Sequence, residues 1–326
     1  MRSQRTILMS ITLAAAFVVF GNAAAQQYPV RPITLIIPFA SGGMDAVGRI
    51  VAERMRAALA QPVIVENVAG AAGSIGVGRA VHSAPDGYTL SYGGFGPHVL
   101  NGAIYSLKYD LLNDLEPVSL VATQPLLIVG RKSLPPNTLK ELIAWLKANP
   151  DKALQGTAGN GSAEHVVGVA FQRETGTRFG FVPYRGGGPL MQDLVAGQID
   201  ILIGVTAISL AQVQAGNVKA YAVTSNKRLA AAPEIPTVDE SGLPGFHVSS
   251  WHGIWVPKNT PAPFIATLNA AVVDTLADPA LRARLADLGQ EIFPRDQQTP
   301  EALHAFHKAE INKWWSIIKS ANIKAE

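Results

Sequence analysis

The segment ITLIIPFASGGMDAVGRIVAERMRAALA (33–60) constrains the fold most. A short run of branched apolar residues breaks at Gly42-Gly43 and resumes with apolar residues three and four apart. A buried strand that hands over directly to an amphipathic helix is the unit of a parallel sheet covered on both faces. The unit recurs. PVIVEN (62–67) precedes a glycine-containing helix SIGVGRAVHSA (74–84), and YTLSYG (88–93) follows a turn at Pro85-Asp86-Gly87. Together they form a βαβαβ set.

A second set follows the extended run VSLVATQPLLIVG (118–130). Apolar spacing predicts helices over 139–150, 164–176, 188–198 and 207–216, with strands at 179–184, 199–204 and 218–225. A second extended pass, GLPGFHVSSWHGIWVP (242–257), leads to helices near 261–277, 279–288 and 299–320. Two βα sets joined by two extended passes predict two α/β lobes. The first is built from residues 26–122 plus 250–326 and the second from 123–249, each a mostly parallel sheet covered by helices. The alternative is one continuous α/β domain. A body of two lobes has a cleft, where ligand sites concentrate.

Arg2 and Arg5 precede an apolar run from Ile7 to Phe20 and then Ala23-Ala24-Ala25. This is the pattern of a secretory signal peptide over 1–25, with the mature chain starting at Gln26 and bound for the periplasm. Loss of Arg2 and Arg5 takes the formal charge from +3 to +1. The remaining cations are scattered, which argues against nucleic-acid binding. With no cysteine in the chain, disulfides and thiol nucleophiles are excluded.

Four glycine-rich loops stand between a predicted strand and the next helix. In the first, Phe39, Ala40, Ser41, Gly43 and Asp45, the turn is either merely tight or an anion seat of backbone N–H groups at a helix end. Asp45 is a candidate cap, and no Gly-Lys-Ser/Thr follows for a phosphate loop. The second, NVAGAAGSIGVGRA (67–80), carries Gly73 and Ser74; the serine either caps a helix or offers its hydroxyl to a ligand. Its glycine order misses the dinucleotide fingerprint, and alanine at 72 misses a nucleophile elbow. The third, GTAGNGSAEH (156–165), supplies Thr157, Gly159, Asn160 and Ser162, with His165 orienting a ligand or only packing. The fourth, VPYRGGGP (182–189), supplies Tyr184, Arg185 and Gly186, and the guanidinium suits paired bonds to a carboxylate unless it faces solvent. Phe95 and His98 lie near the end of the third strand, as an aromatic lining or as core. Ligands of open α/β folds bind beyond the carboxyl ends of strands, where all four loops fall.

Catalytic patterns are missing. There is no H-E-x-x-H, and His304 and His307 share a helix face with no evident third metal ligand. Two rivals to a binding protein are a secreted α/β hydrolase using Ser74 or Ser162, and an interaction module that has lost its ligand.

Pro38-Phe39-x-x-Gly42-Gly43-x-Asp45, GAAGSIGVG (70–78), APDGYTL (84–90), GTAGNGSAEH, VPYRG (182–186) and SSWHGIWVPKNTPAPFIATLN (249–269) resemble the periplasmic receptors of the tripartite tricarboxylate transporter family, also called the Bordetella uptake gene family. The resemblance covers essentially the whole mature chain. It implies a Venus-flytrap of two lobes, monomeric, without cofactor or metal, that closes on a small organic acid and delivers it to a membrane permease. It also implies that a ligand carboxylate is held by Phe39 to Asp45 with Gly73 and Ser74, partly through water. The residues Thr157, Gly159, Asn160, Ser162, His165 and Tyr184 to Gly186 would then grip the rest. Ser41 stands where the family often has proline.

Overall fold

The computed structural model describes residues 28–40, 42–159, 161–184 and 186–324. The signal segment 1–25 and the candidates Ser41, Asn160 and Arg185 lie outside them. The first set consists of β1 (Ile33–Ile37), α1 (Gly43–Leu59), β2 (Val63–Asn67), α2 (Ser74–Val81) and β3 (Thr89–Gly94). A π-helical turn, Phe95–Leu100, runs on into the short α3 (Asn101–Ile104). The long β4 (Leu115–Arg131) leads to α4 (Leu139–Ala148), β5 (Leu154–Thr157), α5 (Ala163–Thr175), β6 (Gly180–Pro183), α6 (Gly187–Ala196), β7 (Ile201–Val205), α7 (Thr206–Gln214) and β8 (Val218–Val223). The return strand β9 (Ser249–Pro257) is followed by α8 (Ala262–Ala277), α9 (Pro279–Asp287), β10 (Glu291–Ile292) and α10 (Pro300–Ser320).

The spacing explains the elements. In β1 Ile33, Leu35 and Ile37 are fully buried and Ile36 nearly so, because both faces of the strand are covered. Along α1, Val47, Val51 and Met55 recur every fourth residue and all three are buried. Trp251 and Trp255 of β9 pack with Phe95, Leu303 and Trp314 on one face. Ile254 and Val256 pack with Val47, Val51, Leu268 and Val272 on the other. This is the period-two alternation of a strand with a core on each side.

Strand order runs β2-β1-β3-β9-β4-β7-β5-β6, and β4 also pairs with β8 and β10. The pairing of β4 changes along its length. Leu115 to Pro125 pair antiparallel with β9, whereas Leu126 to Arg131 pair antiparallel with β7 and β8. The strands β1, β2 and β3 are mutually parallel, as are β5, β6 and β7. This is a periplasmic-binding-protein-like α/β fold. Among the described residues no single helix is long and apolar enough to cross a bilayer.

Candidate functional site

Strand direction locates the site. β3 is antiparallel to β9 and β9 to the first half of β4, so β1–β3 run in the sense of β4. β7 is antiparallel to the second half of β4, so β5–β7 run against it. The carboxyl ends of both sets therefore point toward the middle of β4, and toward each other. Glycines mark where the two edges meet. A Cβ on Gly43 would lie 3.4 Å from Ala207 Cβ, and one on Gly161 would lie 2.7 Å from Ile104 Cγ2.

On the first edge, the carbonyl of Phe39 accepts a hydrogen bond from Asn67 Nδ2 at 2.8 Å. The same nitrogen lies 2.9 Å from Asp45 Oδ1, while Arg49 Nε donates to both Asp45 oxygens at 3.0 Å and Arg49 Nη2 donates to Asn67 Oδ1 at 2.8 Å. Buried Asp45 thus neither caps α1 nor stands as a free acceptor. Its charge is offset by Arg49, and the trio fixes the loop that holds Phe39. Ala40 is exposed at the tip.

The neighbouring turn is strained. Ala71 (φ 47°), Ala72 (φ 50°) and Gly73 (φ 96°) are successive left-handed residues. For each alanine that costs about 1–2 kcal/mol. A Cβ on Gly73 would meet Pro97 Cβ at 2.9 Å and Phe39 Cζ at 3.3 Å, so glycine is required there twice over. Ser74, 8% exposed, opens α2, and its Oγ accepts from Asn101 Nδ2 at 2.9 Å. Its carbonyl accepts from the Tyr109 hydroxyl, whose pKa burial pushes up to about 12. Phe95 is 1% exposed and packs edge-on against Trp314, so its ring belongs to the core beneath this turn.

On the second edge, Thr157 is fully buried, and its Oγ1 lies 3.4 Å from the Gly159 N–H that it accepts. Ser162 caps α5 by accepting from the His165 N–H. His165 Nδ1 accepts from the Gly161 N–H at 2.9 Å, which leaves the ring proton on Nε2 in the neutral form, and the ring stands edge-on to Phe181. The Tyr184 hydroxyl donates to Asp193 at 2.7 Å. Desolvation, and then Asp193, pushes its pKa up to about 12. A Cβ on Gly159 or Gly186 would meet nothing within 4 Å, so both border open space.

Helix caps sort by location only in part, since Ser162 caps α5 at the meeting edges and α8, which starts after Pro261 away from them, has no side-chain cap. Thr138, Asp278 and Thr299 cap α4, α9 and α10, which start away from the meeting edges. At those edges α1, α2, α6 and α7 begin at Gly42, Gly73, Gly186 and Val205 with no side-chain cap. A cap is worth about 1 kcal/mol, and uncapped N–H groups with the helix dipole attract an anion.

Sequence reasoning missed the start of α7 (Thr206 and Ala207), the braces Asn67 and Asn101, and Pro97 with Ile104. The carboxyl end of β7 belongs to the same edge as the others, but a single Gly204 stands there and no glycine-rich loop follows it. Ser74 Oγ is engaged by Asn101 and Ser162 Oγ by the backbone N–H of His165, rather than either by a histidine ring or a carboxylate. Ser91 Oγ and His98 Nε2 are 3.0 Å apart, but both residues are fully buried. Among the described residues, no three His, Asp or Glu side chains are grouped to hold a metal ion.

Uncapped helix ends facing each other across two sets of strands define a solute receptor of the periplasmic-binding class. The description "Tripartite tricarboxylate transporter family receptor" matches residues 47–323, and the chain belongs to that family: a non-catalytic periplasmic receptor that serves a membrane transporter. It is 38% identical over 314 residues to a "UPF0065 protein in the TAR-I ttuE-ttuC' intergenic region" of Agrobacterium vitis, covering 96% of this chain and 91% of that one. The structure of periplasmic binding protein BugD is similar, with a TM-score of 0.84 and 38% identity, over 92% of this chain and all of that one. MatC from Rhodopseudomonas palustris with bound malate is also similar, with a TM-score of 0.83 and 36% identity, over 89% of this chain and 100% of that one.

Proposed function

We propose that the protein closes two lobes around a small organic acid and hands it to a membrane permease. The observation that carries this reading is the set of four uncapped helix ends at facing strand edges. The lobes are 26–122 plus 250–326, and 123–249. In support, β4 changes partners between Pro125 and Leu126, and β9 begins at Ser249. Residues 1–25 are the signal peptide, as Arg2, Arg5 and Ala23-Ala24-Ala25 indicate.

In this reading one carboxylate sits on the backbone of Phe39 to Gly43 and of Gly73 and Ser74, with Asp45 bracing the loop from behind and Phe95 supporting the turn. The second lobe grips the remainder of the ligand through Thr157, Gly159, Asn160, Ser162, His165, Tyr184, Arg185 and Gly186. The similarity to MatC with bound malate supports a dicarboxylate.

Calorimetry of the mature chain against malate, succinate, glutarate, adipate and citrate tests the proposal. One acid should bind 1:1 with a Kd on the order of micromolar or tighter, and small-angle scattering should register contraction. Tight binding of a neutral solute with no response to any acid would overturn the carboxylate reading.

A further inference from the structure

Asn101 stands on the first residue of α3 and is 1% exposed. Its Nδ2 makes two hydrogen bonds of 2.9 Å, to the carbonyl of Ala72 and to Ser74 Oγ. The carbonyl can only accept, so the amide nitrogen and not Oδ1 must face this pair. Ser74 Oγ is then obliged to accept from Asn101 as well, and its own hydrogen cannot point back. In the free protein that hydrogen has the Tyr109 oxygen as its nearby acceptor, and Ser74 opens a helix without a side-chain cap. The Ala72 bond holds the middle of a turn in which Ala71, Ala72 and Gly73 are all left-handed. Asn101 Oδ1, on the other side of the carboxamide, is buried with no hydrogen-bond partner among the described residues.

We infer that Asn101 is a positioning residue for the anion seat, clamping the left-handed 71–73 turn and directing the Ser74 hydroxyl hydrogen toward the bound carboxylate. The ligand half rests on the proposed function; the clamp half does not. Both halves follow from one nitrogen. Its two hydrogens are spent on the turn and on the serine, so the turn's shape and the hydroxyl's direction are set together.

The test uses Asn101→Leu, of similar shape, Asn101→Asp, Ser74→Ala and the Asn101→Leu/Ser74→Ala pair. Hydrogen exchange over residues 70–75 should speed up in Asn101→Leu far more than in distant segments, whether or not a ligand is present. For the acid that the wild type binds best among malate, succinate, glutarate and adipate, Asn101→Leu should lower affinity about tenfold. Asn101→Asp should lower it further, because a carboxylate would take the serine hydrogen for itself. The loss in the double variant should be smaller than the sum of the two single losses. Unchanged exchange at 70–75, or faster exchange throughout the molecule, overturns the inference. So does a double variant whose losses simply add. A wild type that binds none of the four acids overturns the carboxylate reading instead, and exchange still decides the clamp.

Discussion

Thr224 and Leu126, 98 residues apart, are joined at the point where β4 changes partners. The Thr224 hydroxyl accepts from the Leu126 N–H at 2.8 Å and donates to the Val248 carbonyl at 2.6 Å. The Thr224 N–H donates to the Leu126 carbonyl, and the Val248 N–H to the Thr224 carbonyl. One fully buried hydroxyl thus ties together the end of β8, the centre of β4 and the approach to β9. Thr224→Val keeps the shape and strands the buried Leu126 N–H, so stability should fall by about 1–3 kcal/mol. Thr224→Ser, which keeps the hydroxyl, should stay closer to wild type. Urea unfolding of the three proteins checks this, and equal midpoints would count against it.

Gly161 has φ +78°, and an added methyl would sit 2.7 Å from Ile104 Cγ2. Gly161→Ala should therefore wedge the two edges apart at one end. Ligand affinity should drop, with a left-handed alanine adding a cost of about 1–2 kcal/mol to folding. Ile104→Ala in the same chain makes room for the methyl, and should restore part of the affinity but none of the backbone cost. Titration calorimetry on the single and double variants separates the two effects.

Acid should destabilise the protein through its buried histidines. Burial lowers His252 from 6.5 to about 4, and burial, against a bond to the His98 carbonyl, lowers His307 to about 4. His98 is held well below its ordinary value, first by burial and then by His307. A histidine whose folded pKa is depressed contributes stability that is complete above about pH 6.5. That stability is lost as pH falls through the folded value. For His252 the loss approaches about 3 kcal/mol. Melting temperature should be level above pH 7 and decline toward pH 4. His252→Leu should flatten that decline, and a parallel curve would show that His252 is not one of the groups responsible.

Arg185 is the one full positive charge in the fourth loop, VPYRGGGP (182–189). If it pairs with the ligand, Arg185→Ala should cost about 2–5 kcal/mol of binding. Lysine should recover only part of that loss, since it keeps the charge without the two-pronged geometry. The melting temperature of the free protein should be unchanged in both. Equal affinity across wild type, R185A and R185K would remove Arg185 from the site.

The elements were legible because most follow simple spacing. The apolar run of β1 and the four-residue recurrence in α1 each admit one reading. The segment Phe95–Ile104 was not, since Gly96-Pro97 suggests a turn while packing against α10 winds it into a π-helical turn. The candidate loops stand out by their glycines, but their supports do not. Asn67 reaches Asp45 because β1 and β2 align Ile37 with Asn67, a register no local pattern specifies. Asn101 meets Ser74 only once the turn after β3 has folded back across α2. The role of Asp45 was ambiguous for the same reason: its partners, Arg49 and Asn67, decide it.

The helix α10 reaches back some two hundred residues. His307 Nε2 lies 2.5 Å from the His98 carbonyl, Trp315 Nε1 donates to the Val99 carbonyl at 2.8 Å, and Trp314 packs on Phe95. These contacts hold the segment that carries Pro97 and Asn101, and so the turn at Gly73. A nascent chain that has emerged only as far as β9 has every glycine loop in hand but lacks the helix that holds one of them in place. Removal of α10 should therefore loosen the Gly73 turn before any other loop, read as faster hydrogen exchange at 70–75.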